Sequence, residues 1–217
     1  MPSLRRAAAW TLAAGAFAAD WVAVATDRRK LELVAKPAAM PTLALACVEA
    51  GLPEKRWGAP VLVGQAFGLG GDVLLLREDQ RSFLAGLSSF LVGHLAYIEA
   101  FRRMGLRPTA WVVPGVVALV GCMWWSRQAL PCLWREGGAG AAGPVAGYMG
   151  VIGAMSLAAW STGNPLVGAG ASLFVVSDTV IAVHSFVEPL DDPGLKIMVP
   201  YLLGQALVVA GAVRQAS

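Results

Sequence analysis

The chain has 217 residues, of which 57% are hydrophobic and only 14% charged, with a formal net charge of +3. A soluble domain carries about 25% charged residues, whereas the stretches 82–98, 108–126 and 137–177 contain no Asp, Glu, Lys or Arg at all. A bilayer-spanning helix needs roughly 20 mainly apolar residues. The composition therefore excludes an ordinary soluble domain, a nucleic-acid binder and a disordered chain, and assigns the basic excess to membrane loops and lipid phosphates.

Taken in chain order, hydropathy predicts eight spans, at about 7–26, 35–50, 58–76, 82–101, 109–125, 143–162, 165–185 and 195–213. The first follows Arg5 and Arg6, as a signal peptide would, but with seven spans behind it a retained helix is expected. The breaks carry charge and turn formers: Asp27 to Lys30, Pro53 to Arg56, Arg77 to Arg81, Arg102 to Pro108, and Glu188 to Gly194. The Gly-rich piece 137–143 reads as a linker, and Gly163-Asn164-Pro165 as the turn that splits the longest uncharged stretch into two helices. Trp10, Trp57, Trp111, Trp125 and Trp160 fall near span ends, as an interfacial aromatic belt would. Gly64, Gly68, Gly71, Gly168 and Gly170 suit close helix packing. Cys47, Cys122 and Cys132 form no CxxC pair and read as small packing residues. The fold class is thus an all-α membrane protein, a polytopic bundle of about eight transmembrane helices forming one transmembrane domain over 1–217.

Eight spans place both termini on one side. Lys and Arg divide almost evenly between the two sides, so charge barely orients the chain, and the termini are assigned to the cytoplasm. The segment from Phe67 to Leu76 resembles that from Leu173 to Ala182, each with an aspartate at the sixth position. That likeness predicts two four-helix halves in parallel orientation.

Ionisable groups inside the spans are where chemistry is expected, because a mid-membrane charge costs about 2.5–3.5 kcal/mol on insertion scales. Asp20, Lys36, Asp72, Asp178, Tyr201 and Gln205 come from five helices and fall, by helix direction, in one leaflet. Tyr201 and Gln205 share a helix face, and so do His94 and Tyr97, nearer the membrane centre. This convergence predicts a polar pocket. Glu49 and Glu99 lie near span ends, where water reaches them. His184, off the face of Asp178 and near a helix end, reads as interfacial, and Ser177 as a packing serine. With two histidines in the chain there is no three-histidine zinc site, HExxH and GxSxG are absent, and no cofactor is demanded. What remains is a pair of aspartates with a lysine, a tyrosine and a histidine. Carboxyl pairs in which one member donates a proton and the other stays ionised hydrolyse acetals through oxocarbenium-like states. Mid-membrane acids in repeated halves also suit a small-molecule or lipid transporter or binding protein, and acids that merely join helices would suit a structural partner.

Several motifs run in order along the chain. They are Lys36-Pro-Ala-Ala-Met-Pro41, Gly64-Gln-Ala-Phe-Gly-Leu-Gly-Gly-Asp72, Gly93-His-Leu-Ala-Tyr97, Phe174-Val-Val-Ser-Asp178 and Tyr201-Leu-Leu-Gly-Gln205. Over about residues 30–213 they resemble the YhhN family of membrane proteins, which includes the animal lysoplasmalogenases. The stretch 102–160 matches in hydropathy alone. The resemblance implies an eight-helix membrane enzyme that hydrolyses the vinyl ether bond of a lysoplasmalogen-type lysophospholipid, giving a fatty aldehyde and a glycerophospho-headgroup. Fitted to the polar pocket, that chemistry makes Asp72 and Asp178 the acid–base pair, in either order, with His94 and Tyr97 orienting water or the glycerol hydroxyl. Lys36 is then expected on the lipid phosphate, Tyr201 and Gln205 on Asp178 or the headgroup, and Asp20 as a further member of the binding set. The Ala- and Gly-rich composition points to a bacterial plasma membrane.

Overall fold

Helix dominates the structure, a computed structural model that describes residues 2–77, 79–107 and 112–216. The helices are α1 (Pro2–Ala25), α2 (Arg29–Glu49), α3 (Gly58–Leu75), α4 (Gln80–Met104), α5 (Val112–Trp125), α6 (Ala129–Ser161), α7 (Pro165–Phe186) and α8 (Pro193–Ala216). A short 3-10 turn, Leu52–Glu54, precedes α3. Among the described residues, seven helices are long and apolar enough to cross a membrane. The count is eight if the pair Val112–Trp125 and Ala129–Gly140, bent by 63°, is one span. With no water in the bilayer core, helices satisfy every backbone group internally, which is why a chain this apolar folds this way. The chain divides into two compact units, Met1–Gly105 with Val209–Ser217, and Leu106–Val208.

In the first unit, α1 packs on α2, α2 on α3, and α3 on α4. The α3–α4 seam is built on glycine. A methyl group at Gly64 would stand 2.8 Å from the Tyr97 ring, one at Gly71 2.6 Å from the Phe90 ring, and one at Gly93 3.2 Å from the Gly64 carbonyl oxygen. Small residues let the two backbones approach closely, which is how helices associate where lipid removes the hydrophobic drive. The Ser89 hydroxyl donates to the Phe67 carbonyl at 2.6 Å, closing the seam further. At the C-terminal end of α8, the Trp57 indole donates to the Ala212 carbonyl at 3.2 Å, tying α8 to the start of α3.

The second unit is organised around Trp160. Its ring faces Gly115 of α5 and Gly168 of α7, and its indole N–H donates to Ser172 Oγ at 2.9 Å. The predicted turn is in place: Gly163 adopts φ 71°, and the Asn164 side chain accepts from Leu166 N at 3.1 Å, with Pro165 opening α7. Against α8, a methyl at Gly170 would meet the Gly204 carbonyl oxygen at 2.7 Å and Val208 N at 2.9 Å.

Three sequence expectations change. Helix α2 begins at Arg29 rather than near 35, because Glu32 pairs with Arg29 at 2.9 Å and with Lys36 at 3.5 Å and so draws the charged turn into the helix. Lys36 therefore sits two turns inside α2. The linker 137–143 shrinks to a break at Gly137 (φ −149°, ψ 17°) and Gly138 (φ 58°, ψ −147°), flanked by helix on both sides. The positive φ at Gly138 is one that glycine adopts without steric penalty. Trp160 is buried, so it is a packing residue, whereas Trp124 and Trp134 are 70% and 61% exposed and better fit an aromatic belt. Pro108, Trp111 and the start of the fifth span lie outside the described residues.

Candidate functional site

The polar side chains inside the helices fall into two groups, one in each unit. In the first, the antiparallel register of α3 and α4 sets Gly64 against Tyr97 and Gly71 against Phe90. His94 and Tyr97 are both buried, level with about Phe67 and Gly64. Asp72, 1% exposed, lies further along α3, roughly 7 Å beyond the level of His94 at 1.5 Å per residue. Gln65 is two turns before Asp72 on the same buried face, and its Oε1 accepts from Cys47 Sγ at 3.7 Å. That contact fixes the level of α2. Counted along both helices from it, Lys36 sits roughly 6 Å nearer the loop end than Asp72.

Around Lys36 lies a charged cluster. Its ammonium pairs with Glu32 at 3.5 Å, and Arg29 pairs with the same carboxylate at 2.9 Å while also donating to the Leu76 carbonyl. Asp20 of α1 is fully buried, and the charges acting on it are those of Lys36 and Glu32. Among the described residues, neither carboxylate oxygen of Asp20 has a hydrogen-bond partner. The first unit thus gathers Asp20, Lys36 and Glu32 together and carries Asp72, then His94 and Tyr97, at increasing depth.

In the second unit, Asp178 accepts from the Tyr148 hydroxyl at 2.6 Å, a short bond between α6 and α7. Ser177, its neighbour, donates to the Ile197 carbonyl of α8 at 3.1 Å and so packs helices, as expected. The pairings Gly170 with Gly204 and Ser177 with Ile197 give the α7–α8 register. By that register Tyr201 and Gln205 lie about one and a half and two and a half turns deeper than Asp178. Tyr201 packs edge-on against Phe174 with ring centroids 5.7 Å apart, and the Gln205 amide lies 3.5 Å from the Tyr201 hydroxyl. The shared face of these two residues is therefore real. The two side chains are in polar contact with each other.

Glu99 is held by Arg102 and Arg103, each at 2.6 Å, and His184 Nδ1 accepts from Leu190 N at 3.0 Å where α7 ends. Both behave as span-end residues. Cys47, Cys122 and Cys132 are free thiols. Among the described residues no three His, Cys, Asp or Glu side chains come together as a metal ion would need. Outside the spans, Asp79 is held below the usual carboxylate value by hydrogen bonds from the Ser82 side chain and backbone N–H.

Sequence reasoning passed over Gln65, Glu32 and Tyr148. Gln65 was detectable as a polar residue seven positions before Asp72, a spacing that repeats a helix face. Glu32 was hidden by assigning the charged turn to a loop. Tyr148 stands alone as a tyrosine in the long uncharged stretch 137–177, and only the fold shows that it faces Asp178.

The sequence profile of the YhhN family matches residues 31–212. Human lysoplasmalogenase TMEM86A is 32% identical over 164 residues, covering 70% of this chain and 65% of the relative. The bovine TMEM86A is 31% identical over 177 residues, with the same coverage of 70% and 65%. Human lysoplasmalogenase TMEM86B is 31% identical over 144 residues, covering 66% of this chain and 59% of the relative. The chain thus spans about two-thirds of the length of the TMEM86A relatives it matches. No solved structure matches.

Proposed function

The chain belongs to the YhhN family, and on that premise we propose that it is a membrane-embedded hydrolase of lysoplasmalogen-type lysophospholipids. The observation that carries the reading is the burial of Asp72 within the family-matched stretch, in a chain about 31% identical to proteins named lysoplasmalogenase. An intramembrane carboxyl points to function by default.

The reaction needs a proton on carbon. A carboxylic acid protonates the vinyl carbon remote from oxygen, leaving an oxocarbenium ion at the other. Water adds there, a carboxylate accepts the proton that water releases, and the hemiacetal breaks to a fatty aldehyde and the glycerol hydroxyl of the glycerophospho-headgroup. Asp72 and Asp178 are the residues assigned to acid and base. His94 and Tyr97 orient water or the glycerol hydroxyl, and Lys36 attracts the phosphate as a point charge. Tyr201 and Gln205 line the binding set beside Phe174. Each of these roles is a chemical assignment from residue type and burial.

The test is aldehyde release from lysoplasmenyl-ethanolamine and lysoplasmenyl-choline by the purified chain, beside an Asp72→Asn, Asp178→Asn double variant of equal melting temperature. Aldehyde from the wild type alone supports the reading. A folded wild type that releases none from either lipid overturns it, and ligand-uptake assays for a transporter then take precedence.

A further inference from the structure

We propose that Asp20 and Lys36 together form the receptor for a phosphoethanolamine headgroup, Asp20 taking the primary ammonium and Lys36 the phosphate. This rests on the lysophospholipid chemistry proposed above and adds to it a headgroup class and a residue that sets it.

The starting observation is a carboxyl without a hydrogen-bond partner in a dry place. Asp20 is fully buried in α1, and neither of its oxygens has a hydrogen-bond partner among the described residues. A buried carboxylate left this way is strongly unfavourable unless something completes it. The cations nearby are already engaged. Arg29 is held by Glu32 and by the Leu76 carbonyl, while Lys36 forms a 3.5 Å pair with Glu32. Arg29 and Lys36 thus share Glu32, and the Lys36 charge also acts on Asp20, so the group is balanced in charge while Asp20 has no partner of its own among the described residues.

The chemistry of the missing ligand follows. An inorganic cation would complete Asp20 and give Lys36 nothing. A free anion would draw Lys36 from Glu32, which keeps Arg29, and would leave Asp20 without a partner. A zwitterion supplies the cation to Asp20 and the anion to Lys36 without adding net charge. Both acceptor oxygens of Asp20 call for N–H donors, and a primary ammonium has three, whereas a trimethylammonium has none. A site that hydrogen-bonds a substrate group rejects the analogue lacking it far more strongly than an apolar pocket rejects a change in size.

The order of groups along α2 and α3 agrees with the order of groups along such a lipid. Lys36 and Asp20 lie toward the loop end of the helices, and Asp72 is roughly 6 Å deeper. A headgroup held at the first level places the glycerol between, with the vinyl ether near the second and the alkyl chain beyond. Asp20 lies upstream of residues 31–212, the stretch matched by the family profile.

The test uses the full chain in nanodiscs and measures binding by titration calorimetry. Its probes are 1-acyl lysophosphatidylethanolamine and lysophosphatidylcholine of one chain length, which lack the vinyl ether, so it reads the headgroup site whether or not hydrolysis occurs. The wild type is expected to bind the ethanolamine lipid about tenfold more tightly. Asp20→Asn and Asp20→Ser are each expected to bring the ratio to within about twofold, and Asp20→Glu to retain part of the preference. In turnover, the loss should appear in KM rather than kcat. An unchanged ratio in Asp20→Asn or Asp20→Ser, or a wild type with no preference, overturns the proposal. The wild-type comparison needs no variant to fold. Free ethanolamine and sodium chloride serve as competitors. Loss of the preference in sodium at constant ionic strength would make Asp20 an inorganic-cation site and also overturn it. Absence of aldehyde from vinyl ether substrates, with the binding preference intact, would sink the hydrolase reading and leave the headgroup site standing.

Discussion

The hydroxyl of Tyr148 donates to Asp178 Oδ2 across 2.6 Å, joining α6 to α7 at a carboxyl the sequence had marked and through a tyrosine it had not. Such a bond holds the carboxyl in one orientation and fills one of its oxygen lone pairs. Tyr148→Phe is expected to lower aldehyde release about tenfold in kcat with KM little changed. Interhelical bonds in membranes contribute about 0.6 kcal/mol on average, so its melting temperature should move by only a few degrees. A double-mutant cycle separates orientation from general damage. Combined with Asp178→Asn, the tyrosine change should add nothing further, and additive losses would show that the two act independently.

For the aspartates themselves, the expected losses are those of general acid–base groups. Asp72→Asn and Asp178→Asn should each lower kcat by about 10²–10⁴-fold, with helical content and melting temperature preserved because Asn keeps the side-chain volume. Aldehyde yield by mass spectrometry over time, on variants matched for thermal melting, reads this directly. Full turnover by Asp72→Asn would remove that residue from the chemistry.

The glycine contacts predict a graded stability series. At Gly170 an added methyl meets the backbone of Gly204 and Val208 at 2.7 and 2.9 Å, and backbone cannot step aside. Gly170→Ala should therefore destabilise by about 1–3 kcal/mol. At Gly64 the neighbour is the Tyr97 ring, so Gly64→Ala should disturb that side chain as well as the helix pair. Gly15 has nothing within 4 Å of the added carbon, and Gly15→Ala should leave stability unchanged or slightly raised. Thermal unfolding of the three variants in one detergent ranks them. Equal stability of Gly170→Ala and Gly15→Ala would contradict the close approach.

At the start of α4, Asp79 accepts from Ser82 N at 2.9 Å and from Ser82 Oγ at 2.7 Å, a helix cap that depends on its charge. Those bonds, from the Ser82 side chain first, hold its pKa below the ordinary value. Its folded pKa being the lower one, its contribution to stability is complete above the unfolded value of about 3.9 and vanishes as pH falls through the folded value. Asp79→Ala should melt below the wild type at pH 7, and the gap should close as the pH is taken down through this acid range. A gap that persists undiminished in acid would point to a cause other than the carboxylate.

Much of the architecture was legible because a bilayer imposes simple rules. Apolar runs of the right length became helices, and Gly163-Asn164-Pro165 became a turn through a positive φ and an Asn cap. What hydropathy could not register was charge that folds inward. Arg29, Glu32 and Lys36 look like a loop on an apolarity scale, yet their i, i+3 and i, i+4 spacing completes two turns of α2. The depth ordering of Lys36, Asp72 and His94 was readable from helix direction, since it depends only on residue rise. Which side chains touch was not readable. Tyr148 and Asp178 are 30 residues apart, and their meeting depends on how α6 and α7 pack. Gln65 and Cys47 show the same dependence on packing between α2 and α3.

The glycine seam between α3 and α4 has a consequence for biogenesis. The two helices are neighbours in the chain, joined by a few residues, and they fit backbone to backbone through residues of their own. No later segment is needed to complete that fit. The hairpin that carries Asp72, His94 and Tyr97 can thus zip shut as soon as its second arm leaves the translocon, while α5 to α8 are still being synthesised. The Tyr97 ring, set against Gly64, is then covered by α3 at the earliest moment the chain allows.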